Sequence, residues 1–246
     1  MFGFNFFDRK TLYIIIGLLA LLSLASYGIE GIFDLILSVP AVLIAITVHE
    51  CGHAIAAYKL GDDTAYRQGR ISLNPLDHID PLGLAMLLFA HIGWGKPVQV
   101  DPRNYNRNIS VEKADAIVSF AGPLMNFITA LIFALIYCAI FKFAGAGFIF
   151  SEIGGSIIIP IVIYVITLNI GLGVFNLIPL PPLDGSKIFL PILPYNAKTW
   201  FIEHEQIFYF VFLIIWITGI AGQLISPIIG KITQWILGIA TTIFGL

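Results

Sequence analysis

Charge is what this chain has least of: Asp, Glu, Lys and Arg make up 11% of its 246 residues, while 58% are hydrophobic. Soluble domains carry about 25% charged residues, so a water-soluble globule of this length would lack the polar groups to cover its surface. Neither sign dominates. The formal net charge of −2 excludes the concentrated Lys and Arg on which nucleic-acid binding depends. Cysteine is nearly absent too. Cys51 and Cys138 are too few for a disulfide framework, and each lies in an apolar stretch where a reduced thiol packs as a small hydrophobe. Low-complexity loops and internal repeats are lacking, and residues 1–246 read as a single integral-membrane domain.

What the chain does have is long uncharged runs. About 20 apolar residues in a helix span the hydrocarbon core of a bilayer, and six such segments are predicted: Thr11–Tyr27, Ile32–Leu60, Asp115–Phe141, Ser156–Leu177, Gln206–Leu224 and Pro227–Leu246. The fold class is therefore an all-α polytopic membrane protein, with its core at about 32–190, a first helix at 11–27 and helices five and six at 206–246. A cleaved signal peptide is the rival reading of the first segment, because Arg9 and Lys10 precede it. Basic residues mark the cytoplasmic side. Arg9, Lys10, Lys59, Arg67, Arg70, Lys96, Arg103, Arg107, Lys113, Lys187 and Lys198 fall on one side of the predicted topology, against Lys142 and Lys231 on the other. Both termini are expected in the cytoplasm. Between helices two and three, Tyr66–Ser72 and Pro97–Val100 carry weak strand patterns and predict a small membrane-associated β-sheet. The apolar Leu82–Ile92 is too short to cross and predicts a re-entrant or interfacial segment.

Late in the second span stands His49-Glu50-Cys51-Gly52-His53, an H-E-x-x-H pattern. On a helix, residues four apart share a face, so both imidazoles can reach one ion while the glutamate serves as general base to water. Cys51 points roughly 200° round the helix from His49 and is not expected to be a ligand. Ionisable groups in a bilayer are expensive and mark function, and three stand together here after the uncharged stretch 35–48. Catalytic zinc takes three protein ligands and leaves a place for water. Asp184 is the candidate third ligand, because Pro179, Pro181 and Pro182 cannot continue a regular helix, and irregular backbone at membrane depth is tolerated where it lines a cavity. The second and fourth spans both run inward and end in basic loops, which places the site in the cytoplasmic leaflet.

His49-Glu50-Cys51-Gly52-His53, the later Asn176-Leu177-Ile178-Pro179-Leu180-Pro181-Pro182-Leu183-Asp184-Gly185, and Ala121-Gly122-Pro123-Leu124-Met125-Asn126 between them resemble the site-2 protease family of intramembrane zinc metalloproteases. Residues 73–81 and Gly93-Trp94-Gly95-Lys96-Pro97 resemble its bacterial and archaeal members. The resemblance implies one Zn2+ per chain held by His49, His53 and Asp184, with Glu50 activating water. It also implies that Asn126 and Asn176 bind the substrate backbone or steady the metal shell. No inserted domain of PDZ size and no C-terminal regulatory domain is expected, as in a minimal member.

The implied substrates are single-span membrane proteins, cut within or next to their transmembrane helices and reached through the lipid bilayer. Strands near Arg70 and Val98 would pair with the unwound substrate, so Pro at Ser72 or Val98 would reduce cleavage. The alternative function is a metal-ion transporter with His49, His53 and Asp184 as a transient site, which leaves Glu50 without a task. A catalytically silent binder would normally have lost a ligand or the glutamate. Of the other histidines, His78 reads as part of a solvated interfacial loop rather than a second metal site with Asp77 and Asp80, His91 as the end of the re-entrant segment rather than a neighbour of the active site, and His204 as an interfacial cap. Natural substrate and oligomeric state are not legible.

Overall fold

The structure is a computed structural model that describes residues 9–90 and 95–246. Its principal helices are α1 (Arg9–Lys59), α2 (Pro81–Ala90), α3 (Val111–Phe143), α4 (Ile159–Asn176), α5 (Asp184–Phe189), α6 (Tyr195–Glu203), α7 (Glu205–Ile217) and α8 (Ile220–Phe244). Gly28, at φ 65°, interrupts α1 between the two segments predicted there. Among the described residues, four helices are long and apolar enough to cross a membrane: Gly31–Lys59, Val111–Phe143, Gly154–Asn176 and Ile220–Phe244. The third of these begins as a π-helical turn, Gly154–Ile158, and continues into α4. Glu112 in the first turn of α3 and Lys142 in the last each sit at the end where the helix dipole favours that sign.

Small side chains let the helices close on one another, as helix pairs in lipid do. Ala130, Ala134 and Cys138 of α3 face Val162, Ile166, Ile170 and Val174 of α4, with Ala221, Ile225, Ile236 and Ala240 of α8 completing the cluster. Cys138 is a free, buried thiol there, in keeping with its reading as a small hydrophobe.

Three expectations change. The predicted break at Ser226–Pro227 lies inside α8, where the Ser226 hydroxyl donates to the Gly222 carbonyl. The break falls instead at Gly219, whose φ of 72° suits only a residue without a side chain. Consequently α7 is a helix of 13 residues, about 20 Å long, and of the two only α8 is long and apolar enough to cross. At its far end the Phe244 carbonyl accepts from the Lys142 amine, and Phe143 and Phe244 stack edge to face at 6.2 Å. The end of α8 therefore shares a face with the end of α3.

No sheet forms among the described residues. Asp62 accepts from the amide (3.1 Å) and hydroxyl of Thr64 and so starts a helical turn, Thr64–Arg67, where the first strand was expected. Residues 97–100 belong to no strand, and among the described residues the one strand-like pairing is an isolated bridge between Ile79 and Gly95. The predicted re-entrant stretch begins as α2, whose first amides, on Leu82 and Gly83, are capped by Asp80 at 2.8 and 2.9 Å. Ten residues rise about 15 Å, half of a hydrocarbon core. His91, Gly93 and Trp94 lie outside the described residues.

Beyond α1, Asp62 ties two loops together. It is fully buried and also accepts from the Asp101 amide (2.7 Å) and the Asn104 side chain (3.0 Å). Burial opposes its ionisation, but hydrogen bonds from Asn104, Thr64 and the Asp101 amide outweigh that and hold the carboxyl below its ordinary range. A depressed carboxylate stabilises the fold fully above its unfolded pKa, about 3.9, and loses that contribution as pH falls through the folded value. Asp62→Asn is expected to lower stability by about 1–3 kcal/mol at pH 7, with the difference from wild type shrinking toward pH 3. Thermal unfolding in detergent across that range measures it; a deficit independent of pH would contradict the assignment.

Candidate metal centre

Helical spacing puts His49 and His53 on one face of α1, with ring centroids 4.6 Å apart. Against that face lies a stripe of α3, four residues per step: Val118, Gly122 and Asn126. A Cβ on Gly122 would fall 2.5 Å from His53 Nε2 and 2.8 Å from His49 Cε1, so only glycine lets the two helices meet around the imidazoles. The third donor arrives from α5. The prolines after Asn176 end α4, the chain turns back, and Asp184 opens α5, where the helix N-terminus suits a carboxylate. His49 Nε2 and His53 Nε2 lie 3.1 and 3.3 Å from Asp184 Oδ2 and 3.1 Å from each other. Among the described residues, His49, His53 and Asp184 form the one group of three His, Cys, Asp or Glu side chains within reach of a single ion, and Cys51 is not part of it.

The outer nitrogens decide whether a cation fits. His53 Nδ1 is 2.7 Å from the Val118 carbonyl, an acceptor only, so Nδ1 carries the proton. His49 Nδ1 is 2.7 Å from Asn126 Oδ1. The orientation of that amide is fixed, because its nitrogen donates to the Ala45 carbonyl (3.0 Å) and to Asn169 Oδ1 (2.9 Å). Asn169 is oriented in turn by its own nitrogen, which donates to the Val165 carbonyl at 2.8 Å. With Nδ1 protonated, each neutral imidazole turns an Nε2 lone pair toward the other and toward a carboxylate oxygen. Three electron-pair donors at this spacing repel unless a cation lies among them, and tetrahedral zinc with ligands at about 2.0–2.1 Å needs donors roughly 3.3–3.5 Å apart. Two imidazoles and a carboxylate are a donor set that suits zinc.

The other expected residues are placed as follows. Glu50 Oε2 accepts from the Val98 amide at 2.8 Å. Asn126 is fully buried, its nitrogen donating to the Ala45 carbonyl and Asn169 and its oxygen lying on His49 Nδ1. The Asn176 side chain donates to the Leu172 carbonyl of its own helix at 3.0 Å, a local bond that ties it to α4 and not to the cluster. His78 is not solvated. It is fully buried, folded inward by the turn Pro75–His78, with Nε2 donating to the Ser72 carbonyl at 2.8 Å. His204 ends α6, and its Nδ1 lies 2.8 Å from the Trp200 carbonyl, as an interfacial cap would. Asn169 was not singled out by sequence: one amide in an apolar helix carries no signal until its partner is known.

Alongside the centre, α1, α4 and α8 enclose an apolar groove of about 300 Å³ lined by Ala45, Ile46, Leu172, Phe175 and Ile225, among others. Ile46 stands one helical turn before Glu50, so the groove borders the stretch of α1 that leads to the ligands, although none of the ligands lines it.

A helical membrane protein with an H-E-x-x-H helix, an aspartate from a second element and an adjoining apolar groove falls in the class of membrane-embedded metallopeptidases. The model of Peptidase family M50 matches residues 140–219. Three relatives, each named "Putative zinc metalloprotease", extend the likeness over most of the chain. YwhC of Bacillus subtilis is 34% identical over 82% of this chain and 90% of its own length. MJ0611 of Methanocaldococcus jannaschii is 28% identical over 87% of this chain and 98% of its own. Rip2 of Mycolicibacterium smegmatis is 31% identical over 69% of this chain, which spans 60% of that protein. No solved structure matches. The chain belongs to peptidase family M50, the family of the site-2 proteases, and is a metalloprotease.

Asn169→Leu should free the Asn126 amide to turn and release the His49 tautomer. Metal affinity is expected to fall roughly ten- to hundredfold, the usual effect of losing an outer partner of a ligand. Chelator competition measures it; wild-type affinity in the folded variant would remove Asn169 from the centre.

Proposed function

We propose that the protein is an intramembrane zinc metalloprotease that binds one Zn2+ per chain through His49, His53 and Asp184. It hydrolyses peptide bonds within or next to the transmembrane helices of single-span membrane proteins. The observation that carries this reading is the convergence of two imidazoles and a carboxylate, with a glutamate next to the first imidazole in the chain. The names of the relatives support zinc as the metal. Zinc held by these donors supplies Lewis acidity, which makes water acidic near neutral pH and polarises a carbonyl.

Glu50 is the general base: it takes a proton from the attacking water and delivers it to the leaving amine, so one water is consumed and a carboxyl and an amine are produced. Asn126 and the Val118 carbonyl keep the imidazoles turned toward the metal throughout. The groove along Ala45 and Ile46 offers an apolar surface for an apolar segment. By the distribution of basic residues, the N-terminus and the centre lie on the cytoplasmic side, and the end of α8 lies opposite. Metal transport explains the three ligands but gives Glu50 no work.

Glu50→Gln is expected to retain one zinc per chain and lose cleavage of a single-span substrate. Metal analysis beside a cleavage assay reads both; cleavage by the variant would remove Glu50 as the base.

A further inference from the structure

Outside the metal centre, two basic side chains are buried in the loop after α1. Arg70 is 5% exposed and His78 fully buried. Arg70 Nε and His78 Nδ1 have no hydrogen-bond partner among the described residues, and no carboxylate pairs with Arg70 in any described salt bridge. A buried guanidinium left this short of partners costs several kcal/mol, so whatever its remaining bond secures must hold against that strain.

That bond leads to Glu50. Arg70 Nη2 donates to the Lys96 carbonyl. On the other side of the same residue, the Lys96 amide donates to the His78 carbonyl at 2.8 Å, beside the isolated bridge from Ile79 to Gly95. The His78 ring is itself locked to Ser72. Lys96 is thus clamped at both backbone groups. Two residues on, the Val98 amide donates to Glu50 Oε2. Gly95 presses the same strap onto α1, since a Cβ there would fall 2.8 Å from Ile46 Cγ2 and 3.7 Å from Glu50 Oε1.

We infer that Arg70 is a positioning residue for the reaction: by fixing Lys96 against His78 it sets the strap 95–98, and the strap's Val98 amide aims the Glu50 carboxylate. This rests on Glu50 being the base. A strap that is an edge for incoming substrate would instead need a free Val98 amide, and that amide is spent on Glu50. Proline at Val98 would disturb both roles at once, whereas Arg70 touches only the far side of the strap and separates them.

The experiment compares Arg70→Met and Arg70→Lys with wild type, all zinc-loaded and checked for one zinc per chain, on a single-span substrate in detergent. Arg70→Met is expected to lower kcat roughly ten- to hundredfold, the effect of a small misplacement of a catalytic group, with KM unchanged. Arg70→Lys, which keeps charge but loses the planar fork, should fall between. In the metal-free proteins, hydrogen exchange at the Val98 amide should accelerate in the same order. Wild-type kcat in folded Arg70→Met, or a raised KM with kcat retained, would overturn the inference. Should Arg70→Met fail to fold, Arg70→Lys decides alone, by reduced kcat and faster Val98 exchange or by neither. If Glu50→Gln is active, the fault lies with the base assignment; if Glu50→Gln is inactive and Arg70 variants are fully active, it lies here.

Discussion

Two bare imidazole nitrogens and a carboxylate oxygen, turned toward one another between apolar helices, can coexist only around a cation. The rest of the architecture serves that meeting. It needs α3 to touch α1 at Gly122, where a methyl group would already strike His53. It needs Asn126 held in one orientation, which Asn169 achieves from α4. And it needs the chain after α4 to unwind and return, so that Asp184 approaches from a direction no straight helix could supply. The paired histidines are separated from Asp184 by more than half the chain, and three helices have to be in register before any ligand is useful.

The same economy governs the polar groups around it. In a chain with 11% charged residues, a buried polar side chain needs either partners or a task to offset its burial. Asn126, Asn169 and Asp62 belong to the first kind, each with its partners accounted for. Arg70 belongs to the second, with its clamp on Lys96 two residues from the amide that holds Glu50. Structure and chemistry thus meet at one helical turn, where the metal ligands face α3 and the glutamate faces the strap.

Much of this was legible beforehand. His49, Glu50 and His53 announce themselves by spacing, and the prolines before Asp184 reveal a helix that must break. Three long apolar helices, Gly31–Lys59, Val111–Phe143 and Gly154–Asn176, lie within a few residues of the expected bounds. What failed did so for local reasons. Apolar content alone does not say where 206–246 divides, and Gly219 rather than Pro227 takes the break because a proline eight residues into a helix is tolerated when a left-handed glycine relieves the chain earlier. The alternating pattern at 66–72 lost to an Asp62 side chain that nucleates a turn. His78 was expected in a solvated loop, yet the turn Pro75–His78 folds its ring inward and buries it fully. Asn169 and Arg70 had no sequence signal, because their importance lies wholly in which backbone or amide they meet.

The central claim is that His49, His53 and Asp184 together hold zinc, and X-ray absorption at the zinc edge of the purified, membrane-extracted protein tests it most directly. The account predicts one zinc per chain, with two imidazole nitrogens and oxygen donors at about 2.0–2.1 Å and loss of one oxygen donor in Asp184→Ala. A sulfur donor at about 2.3 Å, which would bring Cys51 into the centre, or a spectrum unchanged by Asp184→Ala, would contradict it.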